Sequence, residues 1–198
     1  MHQVPRQILP FDGDVFYYGR IMPAAECEFF FRRLCIEVNW SREALRIAGK
    51  LVQPNRSVAF YGEKNYQYLY SGQIKTAMLW TPLLLDLKNR AEYICHGSYN
   101  ACLLNLYPNG ESGMGWHSDN EKEIEPGSSI ASLSFGAERR FVLKHILSGT
   151  KVEINLEPGS LLEMKGSTQS HWLHSLPKLK GLKEARINLT FRRMIPGN

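Results

Sequence analysis

At 198 residues, with 43% hydrophobic and 22% charged residues, the chain has room for one domain with a sizeable core. No apolar run approaches the ~20 residues that span a bilayer, and residues 1–10 hold no apolar signal-peptide core, so a cytoplasmic protein without a membrane partner is expected. The net charge of +5 and a pI near 9.0 suit a polyanionic partner without demanding one.

In chain order, residues 23–40 read as a helix: Pro23 suits the first turn, and Phe30, Leu34 and Val38 recur at spacing four. Residues 40–72, rich in Tyr, Gly, Asn and Arg, read as hairpins and loops. A second helix starts at Thr81 as N-cap with Pro82 next, carries Leu83, Leu84, Leu87, Ala91 and Ile94 as its apolar stripe, and ends at Gly97. From about residue 100 the period changes to two. Residues 101–107, 129–135, 140–145, 151–156, 160–164 and 186–192 read as strands, punctuated by Pro-Gly at 126–127 and 158–159. Helices followed by many short strands predict an α+β, mainly β domain, with helices packed on a double-sheet sandwich or jelly roll. Cys27, Cys35, Cys95 and Cys102 form no Cys-x-x-Cys pair and read as reduced, mostly buried thiols.

Two stretches carry the chemistry. Strand residues i and i+2 point the same way, so His117 and Asp119 can reach one ion together, with His171 and His174 as candidates for a third ligand. Two histidines and one carboxylate are the facial triad of non-haem Fe(II) oxygenases. Along the last strand Arg186, Asn188, Thr190 and Arg192 alternate with Ile187, Leu189 and Phe191, so one face can donate hydrogen bonds to a carboxylate. Asn105 and Tyr107 share a face of another strand, and a polar interior so lined is costly without a ligand.

These residues fall within Asn105-Leu106-Tyr107, Trp116-His117-Ser118-Asp119-Asn120-Glu121, Ile130-Ala131-Ser132-Leu133-Ser134-Phe135-Gly136, Pro158-Gly159-Ser160-Leu161-Leu162, His174-Ser175-Leu176-Pro177 and Arg186-Ile187-Asn188-Leu189-Thr190-Phe191-Arg192. In that order they resemble the AlkB family of Fe(II)- and 2-oxoglutarate-dependent dioxygenases, in its nucleic-acid dealkylating branch. The resemblance is strong over residues 99–193 and weaker back to Pro54. It implies one dioxygenase domain folded as a double-stranded β-helix. Residues 99–193 would form the catalytic core, and residues 1–98 the packed helices and a nucleotide-recognition hairpin region. It selects His174 over His171, giving His117, Asp119 and His174 as catalytic metal ligands. Arg186 with Tyr107 would hold the distal carboxylate of 2-oxoglutarate, Arg192 and Asn105 the chelating end, and Asn188 and Thr190 the remaining polar lining. On the substrate side Tyr66, Tyr68 and Tyr70 resemble the base-recognition region, Trp116 falls in the same motif as the metal ligands, and Glu121 matches an acid that meets the damaged base.

The implied function is oxidative demethylation of 1-methyladenine and 3-methylcytosine in DNA, coupled to decarboxylation of 2-oxoglutarate to succinate and CO₂ with release of formaldehyde. Duplex-repairing members carry a bulky wedge near Ala48-Gly49-Lys50; Ala48 is too small for that role, with Leu51 or Arg46 as the nearby substitutes, so single strands are favoured. Arg6, Arg56, Lys64, Arg139, Arg140 and Lys144 are candidate phosphate contacts. The expected unit is a monomer, nucleoid-associated in a bacterium or nuclear in a eukaryote. RNA or a protein side chain as substrate, and a non-catalytic β-helix binding module, are the competing readings.

Overall fold

The structure, a computed structural model, describes residues 4–42, 45–47, 50–52, 55–70 and 73–195. Its frame is two facing sheets. The larger has eight strands in the order Arg6–Gln7, Asp14–Arg20, Ser160–Lys165, Ile130–Gly136, Arg186–Arg192, Ala101–Tyr107, Ser57–Gly62 and Met78–Leu79. The smaller has four, Met114–His117, Trp172–Leu176, Arg139–His145 and Lys151–Leu156. Every pairing is antiparallel except the edge pair Ser57–Gly62 with Met78–Leu79. Two sheets of this kind, one strand set folded over the other, are the expected jelly roll.

The Arg186–Arg192 strand is flanked on both sides, by Ile130–Gly136 and Ala101–Tyr107, and all seven of its residues are buried. Its odd-numbered side chains, Ile187, Leu189 and Phe191, face outward with Ala131, Leu133, Phe135 and Leu104, against the two long helices, Ala24–Glu37 and Pro82–Cys95. Phe30 and Leu34 of the first helix and Leu83, Leu84, Leu87 and Ala91 of the second close that layer. Its even-numbered side chains face the smaller sheet. There Val15, Ile130, Phe141, Leu143, Ile154, Leu162, Met164 and Trp172 form a second apolar core, and beside it lies a polar chamber.

Local chemistry explains the boundaries. Thr81 caps the second helix, its hydroxyl accepting from Leu84 N at 3.3 Å, with Pro82 following. The helix ends one residue before the predicted stop. His96 takes the left-handed conformation at φ 51°, and Gly97 is small because the Tyr99 hydroxyl would sit 2.7 Å from a Cβ there. Pro23 stands at the N-cap of the first helix rather than within its first turn, and the helix stops at Glu37. Predicted strands 101–107, 151–156 and 186–192 are observed with those limits, the others within a residue. Asp14–Arg20 and the short Thr168–His171 helix went unpredicted; the strands expected to carry His117 with Asp119 and His171 with His174 are Met114–His117 and Trp172–Leu176, with Asp119 beyond the first and His171 before the second. In the 40–72 region, Leu45–Ile47 pairs with Lys50–Val52, and Ala48 and Gly49 lie outside the described residues.

Leu133, fully buried between sheet and helices, and Ile36, 82% exposed, give a direct check on this packing. Leu133→Ala is expected to cost roughly 2–5 kcal/mol in urea unfolding, and Ile36→Ala no more than about 0.5 kcal/mol. Similar costs for the two would contradict the layer assignment.

Candidate active site

The Met114–His117 strand, bulged against Trp172–Leu176, ends on His117 opposite His174. The two imidazole centroids lie 4.2 Å apart. Asp119 is past the end of the strand, so the simple i, i+2 geometry does not place it. Gln169, on the short Thr168–His171 helix, does: its Oε1 accepts from Asp119 N at 2.9 Å. With the backbone so held, ligand atoms of His117, Asp119 and His174 all fall within 4.8 Å of one another. His117 Nδ1 is 2.8 Å from Gly115 O, so it donates there and leaves Nε2 for an ion. His174 is buried against Phe141. His171 lies elsewhere, stacked on His145 with Nδ1 at Ser167 O.

Arg192 closes this end of the chamber, its Nη2 2.9 Å from Asp119 Oδ2, with both side chains buried. Burial pushes the Asp119 carboxyl up, but Arg192 and the two imidazoles overcome it and hold the group below its ordinary range.

Along the same strand the polar side chains form a ladder. Arg186 Nη2 donates to Asn188 Oδ1 at 2.6 Å and to Ser134 Oγ at 3.0 Å. Ser132 Oγ also donates to Asn188 Oδ1, and Asn188 Nδ2 donates to Thr190 Oγ1. Arg186 lies over the Tyr107 ring at 5.6 Å, and among the described residues Nε of its buried guanidinium has no acceptor. Burial pulls this guanidinium down to about 10, Tyr107 opposing and Arg139 adding to the shift. Asn105, on the paired strand, presents a buried Oδ1 without a partner. Leu103, Met114, Met164 and Leu176 supply the apolar walls.

Sequence reasoning brought together Asn105, Tyr107, His117, Asp119, His174, Arg186, Asn188, Thr190 and Arg192, and all nine line this chamber. Ser132, Ser134 and Gln169 were missed. The two serines alternate with Leu133 and Phe135, a pattern that marks their face; Gln169 carries no local signal.

The substrate-side candidates fare unevenly. Glu121 is half-buried beside the metal group, its Oε2 without a partner. Burial raises its carboxyl above the usual range, Arg192 and His117 opposing and Asp119 adding. Trp116 is 42% exposed, outside the chamber, with Lys144 Nζ 5.3 Å from its ring centre. Tyr66 is buried, donating to Glu63 and accepting from Asn100, which makes it a packing residue rather than a stacking platform. Tyr68 and Tyr70 lie on the Gln67–Tyr70 strand opposite Lys75 and Gln73, and their side chains lie outside the described residues.

Among the phosphate candidates, Arg56 and Arg139 are buried, Arg56 with Nη1 on Met114 Sδ. Arg6 faces a groove lined by Glu138, Glu153 and Glu157, and Arg140 pairs with Glu153. Lys64 and Lys144 remain, each over an aromatic ring.

A sequence model of the 2OG-Fe(II) oxygenase superfamily matches residues 14–192. Mouse DNA oxidative demethylase ALKBH2 is 37% identical over 190 residues, covering 90% of this chain and 80% of the mouse protein. The human protein of that name is 36% identical over 189 residues, covering 90% and 72%. Cattle alpha-ketoglutarate-dependent dioxygenase alkB homolog 3 is 39% identical over 181 residues, covering 86% and 63%. A solved structure described as "The structure of OsALKBH1" superposes with a TM-score of 0.65 at 17% identity, covering 98% of this chain and all of that one, and so shares the fold.

The buried imidazole sets a pH dependence. Burial pulls His174 from 6.5 to about 4, with Asp119 opposing. Between those values the unfolded chain binds more protons, so the metal-free protein loses stability as pH falls through that window, by on the order of a few kcal/mol. Asp119, held low, contributes only below its ordinary range. Melting temperatures of the metal-free protein should fall from pH 7 to pH 5, and His174→Gln should flatten that fall. An equal fall in both proteins would contradict it.

Proposed function

The chain belongs to the 2OG-Fe(II) oxygenase superfamily, and from that premise we propose that it demethylates alkylated nucleobases, chiefly 1-methyladenine and 3-methylcytosine in DNA, as alkylation-damage repair. It is a dioxygenase that uses Fe(II) and 2-oxoglutarate. The observation that carries the reading is one chamber holding both a His117–Asp119–His174 group and a buried guanidinium that, among the described residues, has no acid.

The donor set fits both groups. Two imidazoles and a carboxylate suit Fe(II) and leave positions open. Arg186 has a buried Nε–H donor still to be satisfied among the described residues, as a carboxylate ligand requires. In this reading His117, Asp119 and His174 hold the iron, Arg186 and Tyr107 the distal carboxylate, and Asn105 and Arg192 the chelating end, while Asn188 and Thr190 fix the guanidinium. Bound iron and 2-oxoglutarate supply, with O₂, the oxidation of an N-methyl carbon, which leaves as formaldehyde alongside succinate and CO₂.

The protein's own work is placement. Glu121, beside Asp119 and poorly solvated, is better satisfied by a cationic methylated base than by an empty site. Its charged form is favoured when that base arrives. Tyr68, Tyr70 and Trp116 are the aromatic candidates for the substrate. Residues 99–193 form the catalytic core of one domain and 1–98 its helices and base-recognition region. The protein acts as a monomer on nucleic acid, single strands favoured, in the nucleoid or nucleus according to the cell.

Formaldehyde release from matched single- and double-stranded oligonucleotides bearing 1-methyladenine, in DNA and RNA, tests the substrate. The DNA single strand should be at least as good as the duplex, Asp119→Ala should abolish release, and Glu121→Gln should lower kcat/KM about tenfold, the scale of one charge-assisted contact. Binding of single-stranded DNA should lose about 0.7 of log K per log salt for each phosphate contacted. A flat salt slope, or release only from a methylated peptide, would sink the nucleic-acid reading. Turnover confined to RNA would transfer it to that polymer.

A further inference from the structure

Arg139 was expected on the surface, and the fold seals it inside. It opens the Arg139–His145 strand with only 1% of its surface exposed. Its Nη2 donates to Ser112 O at 2.9 Å and Pro177 O at 2.7 Å. Those two carbonyls precede and follow the Met114–His117 and Trp172–Leu176 strands that carry the two metal-group histidines. Nε and Nη1 are closed off from solvent and have no acceptor among the described residues. Burial lowers this guanidinium, with only Tyr107 opposing, and among the described residues no carboxylate pairs with it.

A buried guanidinium without an acid is costly, and among the described residues two such groups lie toward the same end, Arg186 in the chamber wall and Arg139 behind it. Arg186 lies over the Tyr107 ring, and Arg139, opposite Leu156 and held on the carbonyls of Ser112 and Pro177, borders the cluster in which Tyr107 packs with Leu156 and Leu176, so its charge reaches both groups. At the other end, Arg192 is already matched by Asp119. The positive charge left over is therefore concentrated around Tyr107. Arg139 does not itself line the chamber. It contributes charge across a low-dielectric layer, where a charge is felt more strongly than in water.

We propose that Arg139 is a positioning residue that sets selectivity for a dicarboxylate co-substrate. With Arg186 it makes the Tyr107 end of the chamber require an anionic tail and refuse a neutral one. A backbone clamp alone would loosen the binding of every ligand when removed. A charge acts most on ligands that carry the distal carboxylate, which lies nearest to it.

The proposal rests on the reading of the chamber as the 2-oxoglutarate site, and titration calorimetry on the Mn(II)-loaded protein separates the two. The ligands are 2-oxoglutarate and 2-oxopentanoate, which has the same chain length and no distal carboxylate. Wild type should bind 2-oxoglutarate; no binding would overturn the site reading itself. Arg139→Gln keeps an N–H donor for the carbonyls and removes the charge. It should weaken 2-oxoglutarate about tenfold, the scale of one charge-assisted contact, and change 2-oxopentanoate by no more than about twofold. Arg139→Lys, which keeps the charge, should restore most of the preference. Because each protein's ratio of the two affinities is compared, general loosening cancels, and Arg139→Met serves if the glutamine variant does not fold. Equal weakening of both ligands, or an unchanged ratio in the uncharged variants, would overturn the proposal.

Discussion

The guanidinium of Arg186 organises this molecule. It sits on the central strand of the larger sheet, buried, with neutral acceptors from Asn188 and Ser134 and, among the described residues, without a carboxylate. Burying such a charge unpaired costs several kcal/mol, and no protein keeps that cost without a return. The strand bearing it is stabilised on its other face: Ile187, Leu189 and Phe191 are fully buried beneath two helices. Period-two geometry lets one strand do both, anchoring the core outward and holding a charged polar face inward. The chamber exists because the outer face is stable enough to tolerate it.

The rest of the fold follows from protecting that face. The smaller sheet covers it and brings His174 across from His117. Strands from the first half of the chain, Asp14–Arg20 and Ser57–Gly62, extend the larger sheet on either side of the central strands, so the helices have a continuous surface to pack on. Charge is arranged by position rather than by sum: Arg192 is matched to Asp119 at one end, while Arg186 and Arg139, toward Tyr107 at the other, have no carboxylate partner among the described residues. A metal cation and a dicarboxylate fit those two ends in that order.

Much of this was legible in the chain, for physical reasons. Where strands are long and have one polar and one apolar face, alternation gives both the element and its orientation, as for Ala101–Tyr107 and Arg186–Arg192. Thr81-Pro82 fixes a helix start through local hydrogen bonding alone. What escaped depends on contacts remote in sequence. Met114–His117 is short and bulged, so its period is unreadable, and Asp119 is placed by Gln169 from fifty residues away. Arg139 looks like any surface cation, because nothing in its neighbours says that Ser112 and Pro177 close over it. The choice of His174 over His171 came from the family's spacing, and the stacking of His171 on His145 supplies its physical basis.

The central claim is that Arg186 is kept buried for a ligand and not for the fold. Thermal unfolding of wild type and Arg186→Met, each with Mn(II) and with or without 2-oxoglutarate, tests it most directly. The account predicts that the variant without 2-oxoglutarate melts at or above the wild-type temperature, since a buried unpaired charge has been replaced by an apolar chain. It also predicts that 2-oxoglutarate raises the melting temperature of wild type only. A variant that is strongly destabilised, yet still gains from 2-oxoglutarate as wild type does, would contradict it.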